Sequence, residues 1–285
     1  MCRFLYYQGP PITLASLVTE PEHSLVHQSF HAHEREEPLN GDGFGVAWYG
    51  DPGEPPALFR SVSPAWSNMN LVEIARVTRS PRILAHVRAA TQGIGVAEAN
   101  CHPFRWGSVC FMHNGDVGGF HEIRRPLLRS LSDVAFDTIR GTTDSEHVFA
   151  LVVDELQAEP AGGGPGRLAA ALTRALRRVL ALRGAAEAVD HVYFNAVLTD
   201  GRDTVACRFT TDAARNADTL YVHRGRRYEV LARRSQMVAC EPELSSLIVS
   251  SEPLSDDAGW DPLAIGNLLL IDDHQATDSA PVDLS

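Results

Sequence analysis

The sequence predicts a layered α+β fold. Short runs rich in β-branched and aromatic residues recur along the whole chain, bounded by turn residues. Two strong helical stretches follow one another between residues 143 and 182. Strands and helices do not alternate in the regular β-α rhythm of a parallel sheet, which points to antiparallel sheets with separate helical layers.

Residues 2–8 read as a short apolar strand. Residues 23–34 are polar and read as helical. Residues 40–49 form a glycine-rich turn, Asn40-Gly41-Asp42-Gly43-Phe44-Gly45, feeding a strand; glycine permits backbone angles and close approaches that larger residues resist. Residues 51–56, rich in proline and glycine, read as a turn. Residues 83–88 and 109–113 read as strands ending at polar side chains. A helix starts near a Thr143 cap and runs through 151–156. Residues 161–166 read as a surface loop, and 168–182 as a helix of Ala, Leu and Arg. Strand candidates follow at 191–198, 205–209, 219–223, 238–239, 247–250 and 268–271. The polar, acidic residues 272–285 are expected to be a disordered tail. There is no internal repeat, and one domain is expected over residues 2–271.

The chain has 285 residues, with 44% hydrophobic and 21% charged residues, the balance of a globular protein with a large core. No apolar run approaches a membrane span. The start lacks a basic and then apolar leader, so a cytoplasmic location is expected. Net charge is −11, which disfavours nonspecific binding to nucleic acid or anionic membranes. All 25 basic residues are arginine. The absence of lysine excludes a Schiff-base lysine and a P-loop lysine. Any substrate anion must be held by arginine, histidine, neutral polar groups or backbone amides. The five cysteines, Cys2, Cys101, Cys110, Cys207 and Cys240, include no C-x-x-C pair, which points to free thiols in a reducing compartment. His23, His27, His31 and His33 are spaced four, four and two apart. No acidic or cysteine cluster of ligand spacing accompanies them, so neither a metal nor a cofactor is expected.

Chemistry concentrates at Cys2 and in four polar stretches. Removal of Met1, favoured by a small second residue, would leave Cys2 at the N-terminus. That residue then carries a thiol and an α-amine of pKa about 7.7–8.0, which is a nucleophile with its own base. The stretches are 86–91, with Arg88 and Thr91; 100–104, Asn-Cys-His-Pro-Phe; 113–116, His-Asn-Gly-Asp; and 141–146, Gly-Thr-Thr-Asp-Ser-Glu. An Asn-Gly pair can supply a side-chain amide and a backbone N–H to an oxyanion. An arginine grips a carboxylate with a two-pronged fork, and an aspartate pairs with an ammonium. Taken singly, Arg88 reads equally as an ion-pair partner, Asn114-Gly115 as a hairpin turn, and Asp144 as a first-turn helix residue.

Together and in this order, these residues resemble the class II glutamine amidotransferases, the N-terminal-nucleophile glutaminase family. The resemblance runs from the start to about residue 157 and more loosely to about 271. It implies a four-layer α-β-β-α sandwich. It implies that Cys2 attacks the γ-carboxamide, that Arg88 with Thr91 holds the substrate α-carboxylate, that Asn114 and Gly115 form the oxyanion hole, and that Asp144 takes the α-ammonium. Within the family the likeness runs furthest toward the amidotransferase-like subunit of the fungal glutathione-degradation complex. The stretches that carry it are 1–5, 21–24, 28–30, 40–47, 64–66, 100–104, 110–115 and 141–146. A second likeness is to the ergothioneine-pathway γ-glutamyl hydrolase.

The expected function is hydrolysis of a γ-glutamyl amide through a γ-glutamyl thioester. The expected substrate is a small γ-glutamyl molecule, since no synthase-sized segment follows residue 271. The alternatives are a glutaminase subunit feeding ammonia to a separate synthase, and a silent γ-glutamyl-binding partner. A homo-oligomer, or a partner peptidase or synthase, is compatible with each.

Overall fold

The computed structural model describes residues 2–32, 39–51, 54–89, 95–158, 163–214 and 217–284. In chain order, the elements are β1 (Arg3–Thr13), α1 (Ala15–Val18), α2 (Leu25–Gln28), β2 (Phe44–Trp48), β3 (Ala57–Ser61), α3 (Met69–Val77), β4 (Arg79–Val87), β5 (Phe104–Trp106) and β6 (Val109–Val117). They continue with α4 (Phe120–Arg129), α5 (Asp133–Phe136), α6 (Asp144–Ala158), α7 (Pro165–Ala185), β7 (Val192–Thr199) and β8 (Thr204–Thr210). The last are β9 (Tyr221–Leu231), β10 (Arg234–Val238), β11 (Ser246–Ser250), β12 (Asp261–Pro262), β13 (Asn267–Ile271) and β14 (Thr277–Pro281).

The chain divides into two compact units, residues 1–103 with 219–263, and residues 104–218 with 264–285. The first unit holds an eight-stranded antiparallel sheet of order β10-β9-β11-β1-β4-β2-β3, with β12 on β9. Central β1 pairs with β11 and β4 and is buried from Arg3 to Gln8, which explains its unbroken apolar reading. Helices α1 to α3 place Leu14, Leu17, Leu25 and Leu71 against Leu5, Tyr7, Val46, Ile83 and Ala85 of the sheet.

The second unit holds a six-stranded antiparallel sheet of order β14-β13-β8-β7-β6-β5. Its core joins Val148, Phe149 and Val152 of α6 and Leu172, Leu176 and Val179 of α7 to Phe111, Phe194, Leu198 and Val205 of the sheet. Each unit is thus an antiparallel sheet with a helical layer, the α+β class the sequence predicts.

Three expectations are corrected. The segment 272–285 is not a disordered tail. Strand β14 pairs with β13 from Asn267↔Pro281 to Ile271↔Thr277, and Val282 and Leu284 pack on the second core. An edge strand needs only backbone partners, so its polar side chains gave no pattern. Both compact units are discontinuous in sequence, and the second takes in these C-terminal residues. Of residues 23–34, the described part forms only the four-residue α2, capped where the Ser24 side chain accepts from the His27 N–H; residues 33 and 34 lie outside the described residues. Finally, α7 begins at Pro165, with Gly164 at its N-cap, so 165–166 belong to the helix.

Candidate active site

The first unit positions Cys2 and Arg88. Cys2 immediately precedes β1, and its thiol lies 3.6 Å from the Ala89 carbonyl oxygen. Burial pushes the Cys2 thiol above the usual cysteine value, while the positive charges of Arg88 and Arg3 pull against it. Arg88 follows β4 and is 3% exposed. Its N–H donates to the Gly43 carbonyl at 2.8 Å, its own carbonyl accepts from the Asp42 N–H at 3.0 Å, and its Nη1 reaches the Asp42 carbonyl at 3.4 Å.

The glycine-rich turn is shaped by close approach. Gly43 has φ +112°, and a Cβ there would lie 2.6 Å from the Cys101 sulfur. At Gly45 a Cβ would lie 2.1 Å from the His102 carbonyl oxygen. The glycine-rich turn is therefore packed directly against Cys101 and His102. Thr91 lies outside the described residues.

A further pair stands at the same strand end. Arg3 Nε meets Glu252 Oε1 at 2.8 Å, and Arg3 Nη1 donates to the Cys2 carbonyl at 3.0 Å. Sequence reading missed this pair, because its members are 249 residues apart and no local pattern links them.

The second unit positions Asn114, Gly115 and Asp144. Asn114-Gly115 is not a hairpin turn. The two residues lie inside β6, in register with Asn195 and Phe194 of β7. Gly115 has φ +153°, and a Cβ there would lie 1.8 Å from the Tyr193 carbonyl oxygen, so only glycine fits. The Asn114 side chain is buried, and its Oδ1 has no hydrogen-bond partner among the described residues.

Asp144 opens α6 and is 8% exposed. Its Oδ2 accepts from the Val117 N–H at 2.8 Å; its Oδ1 accepts from the Ser145 N–H at 2.8 Å, with the Ser145 Oγ 3.3 Å away. Thr143 Oγ1 accepts from the Glu146 N–H, and the Glu146 carboxylate accepts from the Arg140 and Gly141 N–H groups. His113 Nε2 donates to the Tyr193 carbonyl at 3.3 Å, which leaves Nδ1 to accept from the Ser145 hydroxyl at 2.8 Å. Burial holds the His113 imidazole below its usual pKa, matching this neutral arrangement. Asp116 is pushed up to about 6 by burial and by the charges of Asp144 and Asp190, against the pull of Arg183.

Elsewhere in the first unit, His23, His27 and His31 line a cavity of about 730 Å³ with Phe30 and Trp66. Among the described residues no group of three His, Cys, Asp or Glu side chains is placed to hold a metal; His33 lies outside them. No described helix is long and apolar enough to cross a membrane.

Comparison with known proteins gives the family. The description "Glutamine amidotransferases class-II" matches residues 14–283. The chain is 36% identical over 294 residues to the "Probable glutamine amidotransferase DUG3" of Saccharomyces cerevisiae, covering 95% of this chain and 82% of that one. It is 35% identical over 118 residues to the gamma-glutamyl-hercynylcysteine sulfoxide hydrolase of Mycolicibacterium smegmatis, covering 41% of this chain and 52% of that protein. The solved glutamine aminotransferase class-II domain protein of Silicibacter pomeroyi superposes with TM-score 0.68 at 29% identity, over 99% of this chain and 100% of that one. The chain belongs to the class II glutamine amidotransferases, and with them to the amidohydrolases.

Proposed function

We propose that this enzyme hydrolyses a γ-glutamyl amide through a γ-glutamyl thioester on Cys2. The observation that carries this reading is the seat of the thiol. Cys2 is bound at the carbonyl of the residue that follows a buried arginine, so a nucleophile and a carboxylate-gripping cation share one strand end. After removal of Met1, the Cys2 α-amine takes the thiol proton, and the thiolate attacks the γ-carbonyl. Asn114 and the Gly115 N–H stabilise the oxyanion. The protonated amine gives its proton to the leaving nitrogen, and water activated by the same amine releases glutamate. Arg88, with Thr91, binds the α-carboxylate, and Asp144 binds the α-ammonium. The buried Asn114 amide, with an unpaired oxygen, supports a role beyond packing, because an orphaned buried polar atom is a cost that packing alone does not justify.

The physiological substrate carries a substituted nitrogen, unlike glutamine. The likeness to a gamma-glutamyl-hercynylcysteine sulfoxide hydrolase supports this choice. A thiol nucleophile and five free cysteines fit a reducing cytoplasm.

The test is a comparison of glutamate release from glutamine, γ-glutamyl peptides and γ-glutamyl amines by intact and Cys2→Ala protein, with mass spectrometry of the N-terminus. The expected result is a mature start at Cys2, no turnover by Cys2→Ala, and higher kcat/KM for a substituted amide. Active protein retaining Met1 would overturn the mechanism. Equal or better glutamine turnover, rising with an added synthase, would instead make the protein an ammonia-supplying glutaminase.

A further inference from the structure

We propose that the buried Arg3–Glu252 ion pair is a positioning device for the nucleophile: Arg3 anchors the Cys2 carbonyl, and Glu252 balances the cation that this anchoring brings beside the thiol. The inference rests on the reading of Cys2 as the nucleophile.

The geometry is closed on every side. Arg3 and Glu252 are 4% and 3% exposed. One guanidinium spans both partners, Nε to Glu252 Oε1 at 2.8 Å and Nη1 to the Cys2 carbonyl at 3.0 Å. Glu252 is itself held by the turn after β11. The Ser251 hydroxyl accepts from the Phe4 N–H, the Ser251 N–H donates to the Phe4 carbonyl, the Ser250 hydroxyl donates to the Glu252 carbonyl, and the Thr219 hydroxyl donates to the Ser251 carbonyl. The start of β1 is thereby stitched to the end of β11.

A carbonyl held at 3.0 Å fixes the peptide plane after Cys2, and so limits where the Cα that carries the thiol and the α-amine can sit. Attack geometry is sensitive to errors of about 1 Å. A buried ion pair is rarely needed for stability, since apolar replacements are often neutral or better. A pair spent beside the nucleophile calls for another reason. The charged groups bearing on the thiol are the N-terminal amine, Arg88 after β4 and Arg3 from β1, with the Cys101 thiol coupled to it; Glu252 stands behind Arg3.

The experiment reads the Cys2 thiol directly, as the pH dependence of its alkylation by iodoacetamide, located by peptide mass spectrometry. Beside it run kcat and KM for glutamate release, with melting curves to check folding. Glu252→Gln removes a negative charge behind Arg3, and the alkylation pKa is expected to fall. Arg3→Met removes the positive charge beside the thiol, and the pKa is expected to rise. The double variant Arg3→Met with Glu252→Leu removes both charges in an apolar pair that can fold. It is expected to return the pKa toward the native value while kcat stays at least about tenfold down, because the carbonyl anchor is gone. Arg3→Lys, which keeps the charge but loses the fixed fork that spans the two partners, is expected to keep the native pKa with a reduced kcat.

Single variants that shift the pKa in the same direction, or not at all, would overturn the proposal. So would a double variant with native kcat. Turnover by Cys2→Ala would instead sink the nucleophile reading itself, and the alkylation profiles keep the two failures apart.

Discussion

Asp144→Asn is the most informative single substitution, because it changes one atom and keeps the shape. The two carboxylate oxygens accept from different backbone donors, Oδ2 from Val117 and Oδ1 from Ser145, both at 2.8 Å. An asparagine has one acceptor oxygen and one NH₂ group. In either flip it turns the NH₂ onto an N–H donor, at Val117 or at Ser145. One buried amide is then left unsatisfied and faces a second donor. Such a loss costs about 1–3 kcal/mol. For a chain of this size each kcal/mol moves the melting temperature by about 2–4 °C, so a drop of about 2–12 °C is expected. The assay is a thermal melt at pH 7, followed by far-UV circular dichroism, beside glutamate-release kinetics on the same preparation. Loss of the charge should also weaken ammonium binding and lower kcat/KM by about 2–4 kcal/mol. If Asp144→Asn melts within about 1 °C of the parent, the carboxylate is not tying β6 to α6 and the reasoning fails. If stability falls but kcat/KM does not, the tie is real and the ammonium role is wrong.

Three further outcomes are expected. Arg88→Lys should keep the fold but lose most of the carboxylate affinity, because one ammonium cannot reproduce the guanidinium fork; the readout is KM for a γ-glutamyl substrate against one whose α-carboxylate is amidated. Gly115→Ala should destabilise the second unit by about 2–4 kcal/mol in urea melts, since the new Cβ would sit 1.8 Å from the Tyr193 oxygen and β6 and β7 must part to admit it. Asp116→Asn should stabilise the fold above pH 6 and change little at pH 4. The folded pKa of about 6 is raised by burial, Asp144 and Asp190. The native state therefore binds more protons than the unfolded chain between the ordinary aspartate value and 6, and stability falls as pH rises through that window. Melting temperatures of parent and variant across pH 4–8 test the sign.

The parts of the fold that could be read from sequence are those where burial left a pattern. Strands β1, β4 and β6 are apolar because they are buried, and α6 and α7 carry long runs of Val, Leu and Ala into the second core. The β9–β10 hairpin left almost none. Its outer positions hold Arg224, Arg226, Arg227 and Arg234, and its two-residue turn is Ala232-Arg233, both with positive φ, where Asn-Gly would have announced it. Strand β14 is illegible for a related reason, since Thr277, Asp278 and Ser279 contribute backbone and little buried surface.

For the proposed site, the residue types were legible and the bonds that support them were not. Cys2, Arg88, Asn114, Gly115 and Asp144 are residue types with few roles in that order along a chain. The same segments also hold the fold, and sequence cannot separate the two duties. Thr143 caps α6, Asp144 ties that helix to Val117, Ser145 bonds His113, and Glu146 gathers the Arg140 and Gly141 amides. Every side chain from Thr143 to Glu146 is engaged before any substrate arrives. On the proposed reading, Asp144 would meet an ammonium as a carboxylate already oriented by two backbone donors, with little of its own freedom left to lose, which is the condition under which a single charge binds well. The bonds that make Asp144 resemble an ordinary helix-start residue would then be the ones that fit it to bind.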